Sequence, residues 1–353
     1  MRRFLHIILL FINILFAIGM LLSTLAGSIA PSHFAGISIL SYGYFILLLV
    51  NILFIIFWLC LSRWTFLVSL AAILLRYAFV PLFFQLGGTT EVEDPDNEYL
   101  KIMTFNTHGF GGLDNDTLMT TDSGAVMFLS ILDEEQPDVV CLQEFFQPRQ
   151  ISFADSMEHR GFHHYYGVRG KSLYSPIILF SRCPITMVHD MDNESKFYVN
   201  IQKGEHQARV CVVHLDSYQL TPEDQQGFEK LTHAKPDSST NKILKKFTET
   251  TRSHELEWKE DLLPLIEKTT DPLIIVGDFN DTPASYIYQQ ATDHLVDSYV
   301  EQGRGLGTTY HGPYPAYRID YILHSDDMEA VSYKRIKSNI SDHYPIMAQL
   351  KFK

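Results

Sequence analysis

Three long apolar stretches open the chain, at about residues 4–25, 37–61 and 64–86, and no Asp, Glu or Lys occurs before residue 91. The only permanent charges in this part are Arg2, Arg3, Arg63 and Arg76. Each stretch reaches the roughly 20 apolar residues that cross a bilayer as a helix. None has the polar face that a helix of a soluble domain turns to water. The pattern predicts a transmembrane anchor over residues 1–86, with about three transmembrane helices. An Arg pair before an apolar run also begins a secretory signal, and residues 25–30 contain small residues that suit cleavage, but the run is long for a signal core and two more spans follow at once. Arg2 and Arg3 precede the first span, no Lys or Arg separates the first two, and Arg63 lies between the second and third. The positive-inside rule then places the N-terminus in the cytoplasm of a cell (inner) membrane and the remainder of the chain on the extracytoplasmic, periplasmic side. Arg76 falls inside the third stretch, where a charge is costly unless it snorkels, pairs, or marks an early end to the span.

From residue 87 the pattern changes. Residues 87–98 read GGTTEVEDPDNE, a short acidic linker broken by Pro95. Beyond it, over 99–353, short apolar runs alternate with polar turns. Runs at 101–105, 138–142, 208–213, 273–276 and 319–323 predict buried strands. Polar residues stand at or beside the ends of these runs: Asn106, Glu144, His214, Asp278 with Asn280, Asp320, and, within 340–345, Asp342 and His343. One polar strand end is an ordinary turn signal. Six such points, rich in carboxylates, imidazoles and amides, predict chemistry at one edge of a sheet structure. Ile243, Phe247, Thr251, His254, Trp258, Leu262 and Leu265 or Ile266 recur at helical spacing and predict an amphipathic helix packed on a sheet face, with Trp258 in the core. The polar region 221–242 before it predicts a loop bordering the site.

Charge and cysteine content narrow the function. Of 28 basic residues, four arginines lie in the apolar part, so 24 face all 41 acidic residues and residues 99–353 with their linker carry about −17. Such a domain does not invite nucleic acid through phosphate neutralisation. Cys60, Cys141, Cys183 and Cys211 show no paired spacing, which predicts buried thiols and neither a zinc site nor a disulfide framework. There is no Ser nucleophile elbow and no glycine-rich phosphate loop.

The segments FNTHG (105–109), LQE (142–144), VVHLDS (212–217), GDFND (277–281), RIDYIL (318–323) and SDHYPI (341–346), in this order, resemble the endonuclease/exonuclease/phosphatase superfamily, which includes DNase I-like nucleases and neutral sphingomyelinases. The resemblance covers roughly residues 99–353. It implies an α/β (α+β) fold, a four-layer αββα sandwich of two packed mixed sheets, behind the transmembrane helices. It also implies a phosphoester hydrolase using Mg2+, with Mn2+ as an alternative. By resemblance Glu144 is the metal ligand, with Asn106 and Asp342 near the ion. Asp278 orients or deprotonates the attacking water, and Asn280 donates to a phosphoryl oxygen. His214 and His343 meet developing charge or protonate the leaving oxygen, and Asp320 orients His343. Arg318 is a candidate for a substrate phosphate, with a structural salt bridge as the equal alternative. Lone histidines such as His108, His159, His163 and His164 carry no assignment.

Departures from the pattern bear on substrate. Phe145-Phe146 follows Glu144 where apurinic-site endonucleases usually show Thr-Lys, and Asp281-Thr282-Pro283 replaces the Arg that follows the GDxN motif in inositol phosphatases. The expectation is a membrane-anchored phosphodiesterase or phosphatase acting on a lipid headgroup or another small extracytoplasmic phosphoester, with no protein partner. A membrane-tethered endonuclease or exonuclease is the alternative, disfavoured by the acidic domain. A catalytically idle binding module is a second alternative, and the complete set of polar residues argues against it.

Overall fold

The computed structural model describes all residues except 1, 89–98, 115–116, 119, 170–175, 192–194, 220, 222–223, 225–237 and 313–315. Most of the acidic linker and of the polar region 221–242 therefore lies outside the described residues. The chain divides into two compact units. One comprises Met1–Phe83, Ser217–Glu260 and Asp281–Ala291, and the other Phe84–Asp216, Asp261–Asn280 and Thr292–Lys353.

The first unit is built on helices α1 (Arg2–Leu25), α2 (Ser38–Cys60) and α3 (Leu67–Leu75). Arg3–Leu25 and Pro31–Cys60 are long and apolar enough to cross a membrane. The expected third span is not one uninterrupted helix. Its helical part, Trp64–Leu75, reaches about 18 Å at 1.5 Å per residue, against a hydrocarbon thickness of about 30 Å. The helix stops because Arg76 leaves helical geometry at φ −126° and ψ 30°, and Pro81 has no N–H to continue a ladder. From Phe79 to Phe83, on both sides of Pro81, amides of Phe79, Val80, Leu82 and Phe83 bond three residues back in tight turns.

A chain of polar side chains crosses the middle of this bundle. Trp58 Nε1 donates to Asn13 Oδ1 (3.0 Å), Asn13 Nδ2 to Ser69 Oγ (2.5 Å), and Ser69 Oγ to Asn51 Oδ1 (2.7 Å). Asn13, Asn51 and Ser69 are fully buried, so the three helices are fixed in register by bonds that have no water to replace them. At one end, His6 meets the Trp58 ring edge-on at 5.0 Å. At the other, Tyr44 packs on Phe79 and Phe83 at 5.7 and 4.9 Å. The third segment thus runs back along α2, from its C-terminal end past Asn51 to its N-terminal end. The outward faces carry exposed Phe4, Phe11, Leu53 and Trp64. The predicted amphipathic helix, α5 in chain order, spans Ser238–Glu257, and its Ile243 and Phe247 form a buried cluster with Tyr218, joined by Ile39 and Tyr42.

The second unit holds two six-stranded mixed sheets. The strands of these two sheets are β1 (Tyr99–Asn106), β2 (Val139–Gln143), β3 (His164–Gly167), β4 (Ile178–Ser181), β5 (Ile185–Asp190), β6 (Lys196–Lys203), β7 (His206–His214), β8 (Leu273–Asp278), β9 (Val296–Asp297), β10 (Asp320–His324), β11 (Met328–Arg335) and β12 (Ile346–Phe352). One sheet runs β11-β12-β1-β2-β4-β3 and the other β9-β10-β8-β7-β6-β5. Each contains one parallel pair, β1 with β2 and β7 with β8, among antiparallel neighbours. Ile102, Val139, Cys141, Val210, Val212, Ile274, Val276 and Ile322 pack between the sheets. On the opposite face of the first sheet, Met103, Phe105, Val140 and Leu142 pack under Phe128, Leu129 and Leu132 of α4 (Thr121–Glu135). Burial of both faces explains why these strands read as unbroken apolar runs. Cys141 lies in this core, Cys211 is likewise buried, and burial pushes both thiols up.

Candidate active site

The two parallel pairs end at the site. In β1 and β2, Asn106 is level with Gln143, and Glu144 follows at once; in β7 and β8, His214 is level with Asp278. β10 runs antiparallel to β8, so its first residue, Asp320, faces Asp278 across the ladder. Gly277 has to be glycine: at φ 141° a Cβ would lie 2.0 Å from the Val213 carbonyl oxygen. Left-handed backbone also recurs at His108 (φ 43°), Glu144 (φ 48°) and Asn280 (φ 50°). Non-glycine strain of this kind collects where side chains must be aimed.

Asn106 joins the two halves. Its Nδ2 donates to Glu144 Oε1 (3.0 Å) and to Asp278 Oδ2 (2.9 Å), and its Oδ1 accepts from the His108 amide (3.0 Å). Asp278 is fully buried, and its Oδ1 accepts from the Asn280 amide (2.8 Å). Burial and the neighbouring Asp320 raise the Asp278 carboxyl to about 6, against the opposing pull of His343, His214 and Asn106. Burial alone pushes Glu144 up as well, but bonds from His108 and Asn106 and the charge of His214 outweigh it and hold Glu144 at about 2. The two carboxylates at one edge are therefore held apart in acidity, Glu144 low and Asp278 raised toward neutrality.

His343 Nδ1 lies 2.9 Å from Asp320 Oδ2, and its Nε2 3.9 Å from Asp278 Oδ2. Burial pulls this imidazole down, yet Asp320 and then Asp278 raise it to about 10, so it is a cation at neutral pH. Ser341 Oγ fixes the turn before it, donating to the Asn106 carbonyl (2.8 Å) and accepting from the His343 amide (3.1 Å). His214 Nε2 is 3.6 Å from Glu144 Oε1 and 3.9 Å from Asp278 Oδ2, and among the described residues this buried nitrogen has no hydrogen-bond partner. An uncommitted buried donor between two carboxylates points to a ligand atom that belongs there.

Of the residues singled out in the sequence, the structure brings together Asn106, Glu144, His214, Asp278, Asn280, Asp320, Asp342 and His343. Asn280 spends one Nδ2 bond on the Leu215 carbonyl (2.9 Å). Arg318 is not brought into this group. Its buried guanidinium pairs with Asp297 (2.6 Å) and lies over the rings of Tyr299 and Tyr321, at 4.6 and 4.7 Å. Sequence reasoning missed His108. Its Nδ1 stands 3.3 Å from Glu144 Oε2 and 3.9 Å from Asp342 Oδ1, and the bond to Glu144 raises its imidazole above the ordinary value. The signal for it was its place inside FNTHG, two residues after Asn106.

The donor set suits a hard divalent cation. Glu144 and Asp342 both approach His108 Nδ1, at 3.3 and 3.9 Å, offer carboxylate oxygens, and have side chains 33% and 30% exposed, which leaves room for the water ligands that magnesium retains. Asp278, Asp320 and His343 also place one ligand atom each within 4.8 Å of one another, although Nδ1 of His343 already bonds Asp320.

A search among curated proteins finds no match. Among solved structures, the chain is similar to an endonuclease/exonuclease/phosphatase from Beutenbergia cavernae (18% identity, 72% of each chain, TM-score 0.48). It is likewise similar to an endonuclease/exonuclease/phosphatase family protein from Leptotrichia buccalis (16% identity, 72% of this chain and all of that one, TM-score 0.49). The human Nocturnin catalytic domain is comparable (16% identity, 72% and 95%, TM-score 0.48). Residues 6–83 match a model described as a domain of unknown function. The endonuclease/exonuclease/phosphatase family model matches residues 103–343, well over half of the chain and every residue of the polar edge built above, and the chain belongs to that family.

Proposed function

We propose that this protein is a membrane-anchored, divalent-metal-dependent phosphoester hydrolase that directs a water at a lipid headgroup or another small extracytoplasmic phosphodiester. The observation that carries the reading is the buried Asp278, raised toward neutrality between Asn106, His214 and a cationic His343. A carboxylate poised near 6 accepts a proton from water efficiently at neutral pH. Asn106 and the Asn280 amide fix the two oxygens of that carboxylate, so the water it binds has one orientation. His343, held as a cation by Asp320, meets the negative charge that grows on the phosphoryl group, and His214 donates from its uncommitted Nε2. Glu144 and Asp342 would hold Mg2+ or Mn2+, which supplies Lewis-acid polarisation of the phosphoryl oxygen.

The anchor and its orientation are part of the reading. The exposed apolar faces of α1 and α2 favour immersion in lipid. The path of the third segment back along α2 favours a third crossing, with non-helical backbone sheltered against protein. Three crossings with Arg2, Arg3 and Arg63 on the cytoplasmic side leave the hydrolase outside. There the net charge of about −17 disfavours nucleic acid and leaves lipid headgroups as the phosphoesters within reach. The test is hydrolysis by the full chain in lipid nanodiscs with Mg2+, using sphingomyelin, phosphatidylcholine, bis(4-nitrophenyl) phosphate and duplex DNA in parallel. Turnover of lipid or aryl diester above DNA is expected. Faster cleavage of DNA would replace this reading with the nuclease one.

A further inference from the structure

The strand that carries Asp320 begins without a neighbouring strand on its outer side. β9 is registered on β10 at Leu323 and His324, toward the far end of the strand. On the inner side Asp320 faces Asp278, and the Phe279 amide donates to the Ile319 carbonyl (2.9 Å). The amides of Ile319 and Asp320 go to a side chain instead. Thr309 Oγ1 accepts both, at 3.0 and 3.1 Å. A hydroxyl oxygen has two acceptor lone pairs, and here both are used in a residue that is fully buried.

The main chain of the same threonine holds the partner of Asp320. The Thr309 carbonyl accepts from the Tyr344 amide (2.7 Å), one residue after His343. Tyr310 forms an antiparallel bridge with His343 and sets its ring edge-on to the imidazole at 5.2 Å. The amides of Thr309 and Tyr310 both donate to the Tyr317 carbonyl (2.8 Å each), which ties this loop back to the segment leading into β10. All of these residues belong to one stretch of the sheet unit, Thr292–Lys353.

Asp320 depends on that support. Its Oδ2 is bonded to His343 Nδ1, and among the described residues its buried Oδ1 has no hydrogen-bond partner. A carboxylate tied at one oxygen takes its direction from the backbone that carries it, and the amide of that backbone is bonded to Thr309. We propose that Thr309 is a positioning residue for the reaction: its hydroxyl fixes the backbone of Asp320, its carbonyl fixes the turn that carries His343, and so one residue sets the geometry of the pair. The inference rests on the hydrolase reading for its rate arm and on geometry alone for its exchange arm.

Thr309→Val keeps the shape and the main-chain bonds and removes the hydroxyl. In nanodiscs with Mg2+ and bis(4-nitrophenyl) phosphate, it should lower kcat about ten-fold and leave KM within about two-fold. Thr309→Ser restores the oxygen and should keep at least about half of the wild-type kcat. In an Asp320→Ala background, Thr309→Val should cost less than about two-fold, because the hydroxyl acts through Asp320. Amide exchange in peptides covering 317–321 should quicken at least about three-fold in Thr309→Val, with β7 unchanged. Thr309→Cys, whose sulfur is a poor acceptor, gives the same readings where valine does not fold. Equal losses in the wild-type and Asp320→Ala backgrounds would overturn the proposal. So would a serine variant as slow as the valine one, unaltered exchange at 317–321, or failure of both valine and cysteine variants to fold. A wild-type chain without any diesterase activity would sink the hydrolase reading, and the exchange arm would still decide whether Thr309 holds Asp320.

Discussion

Asp320→Asn replaces the carboxylate that bonds His343 with an isosteric amide, and it acts on two titrating groups at once. Asp320 Oδ2 is 2.9 Å from His343 Nδ1 in a buried setting, and it is the largest of the influences that raise this imidazole. Losing an opposite charge at that range lowers an imidazole by about 1–3 units, near 1.4 kcal/mol per unit. Asp320 is also, after burial, the principal cause of the raised Asp278 carboxyl, so its removal lowers Asp278 too. If Asp278 works ionised and His343 protonated, the activity bell has Asp278 on its acid limb and His343 on its basic limb. Both limbs should then move to lower pH together, with a reduced maximum. The measurement is kcat/KM for an aryl phosphodiester from pH 4 to 10.5, alongside nitrogen NMR titration of His343. Limbs that close toward each other, or a basic limb that stays in place, would refute the pairing.

The same substitution has a stability signature with a fixed sign. His343 is raised in the folded protein, so its charged form stabilises the fold fully below the ordinary imidazole value of about 6.5. That contribution fades as pH rises toward about 10. Wild-type stability should therefore fall across this window, and Asp320→Asn should flatten the slope.

Glu144→Gln removes the anion held at about 2 and should cost several orders of magnitude in rate and weaken Mn2+ binding in a calorimetric titration, while the fold survives. Asn13→Ala breaks the bonds to Ser69 and Trp58 in the helical bundle and should lower unfolding free energy in detergent by about 0.5–2 kcal/mol; no change would mean that the apolar contacts alone set the helix register. A periplasm-active reporter fused after Lys353 should give signal and a cytosol-active one none; the reverse pattern would mean that only two spans cross.

The polar edge was legible in the sequence because strands buried on both faces leave no other place for Asn106, Glu144, His214 and Asp278 than their C-terminal ends. The Asp320 pairing was legible only through family resemblance, since the register that sets it opposite Asp278 is a long-range fact. His108 lies within FNTHG, but its approach to Glu144 was illegible because it depends on left-handed backbone at both residues. Arg318 read as a candidate phosphate ligand because its partner Asp297 is 21 residues away in the chain. The third apolar stretch read as a span of even composition, and hydropathy does not register the break that Arg76 and Pro81 impose on its helix.

The division of labour between the two sheets explains why one amide matters so much. The first sheet contributes Asn106 and Glu144, and the second contributes His214, Asp278 and Asp320. Sheets that pack face to face stand about 10 Å apart, and their side chains meet only where something spans that gap. At the site edge the Asn106 amide spans it, with one nitrogen shared between Glu144 and Asp278. Two carboxylates brought this close repel unless a donor stands between them, and a donor without charge leaves the titration of Asp278 to burial and to Asp320. A lysine there would hold Asp278 as a weak base, and an aspartate would add a third negative charge. An asparagine lets one sheet keep Glu144 permanently ionised while the other keeps Asp278 within reach of a proton, and that difference is what the proposed water attack requires.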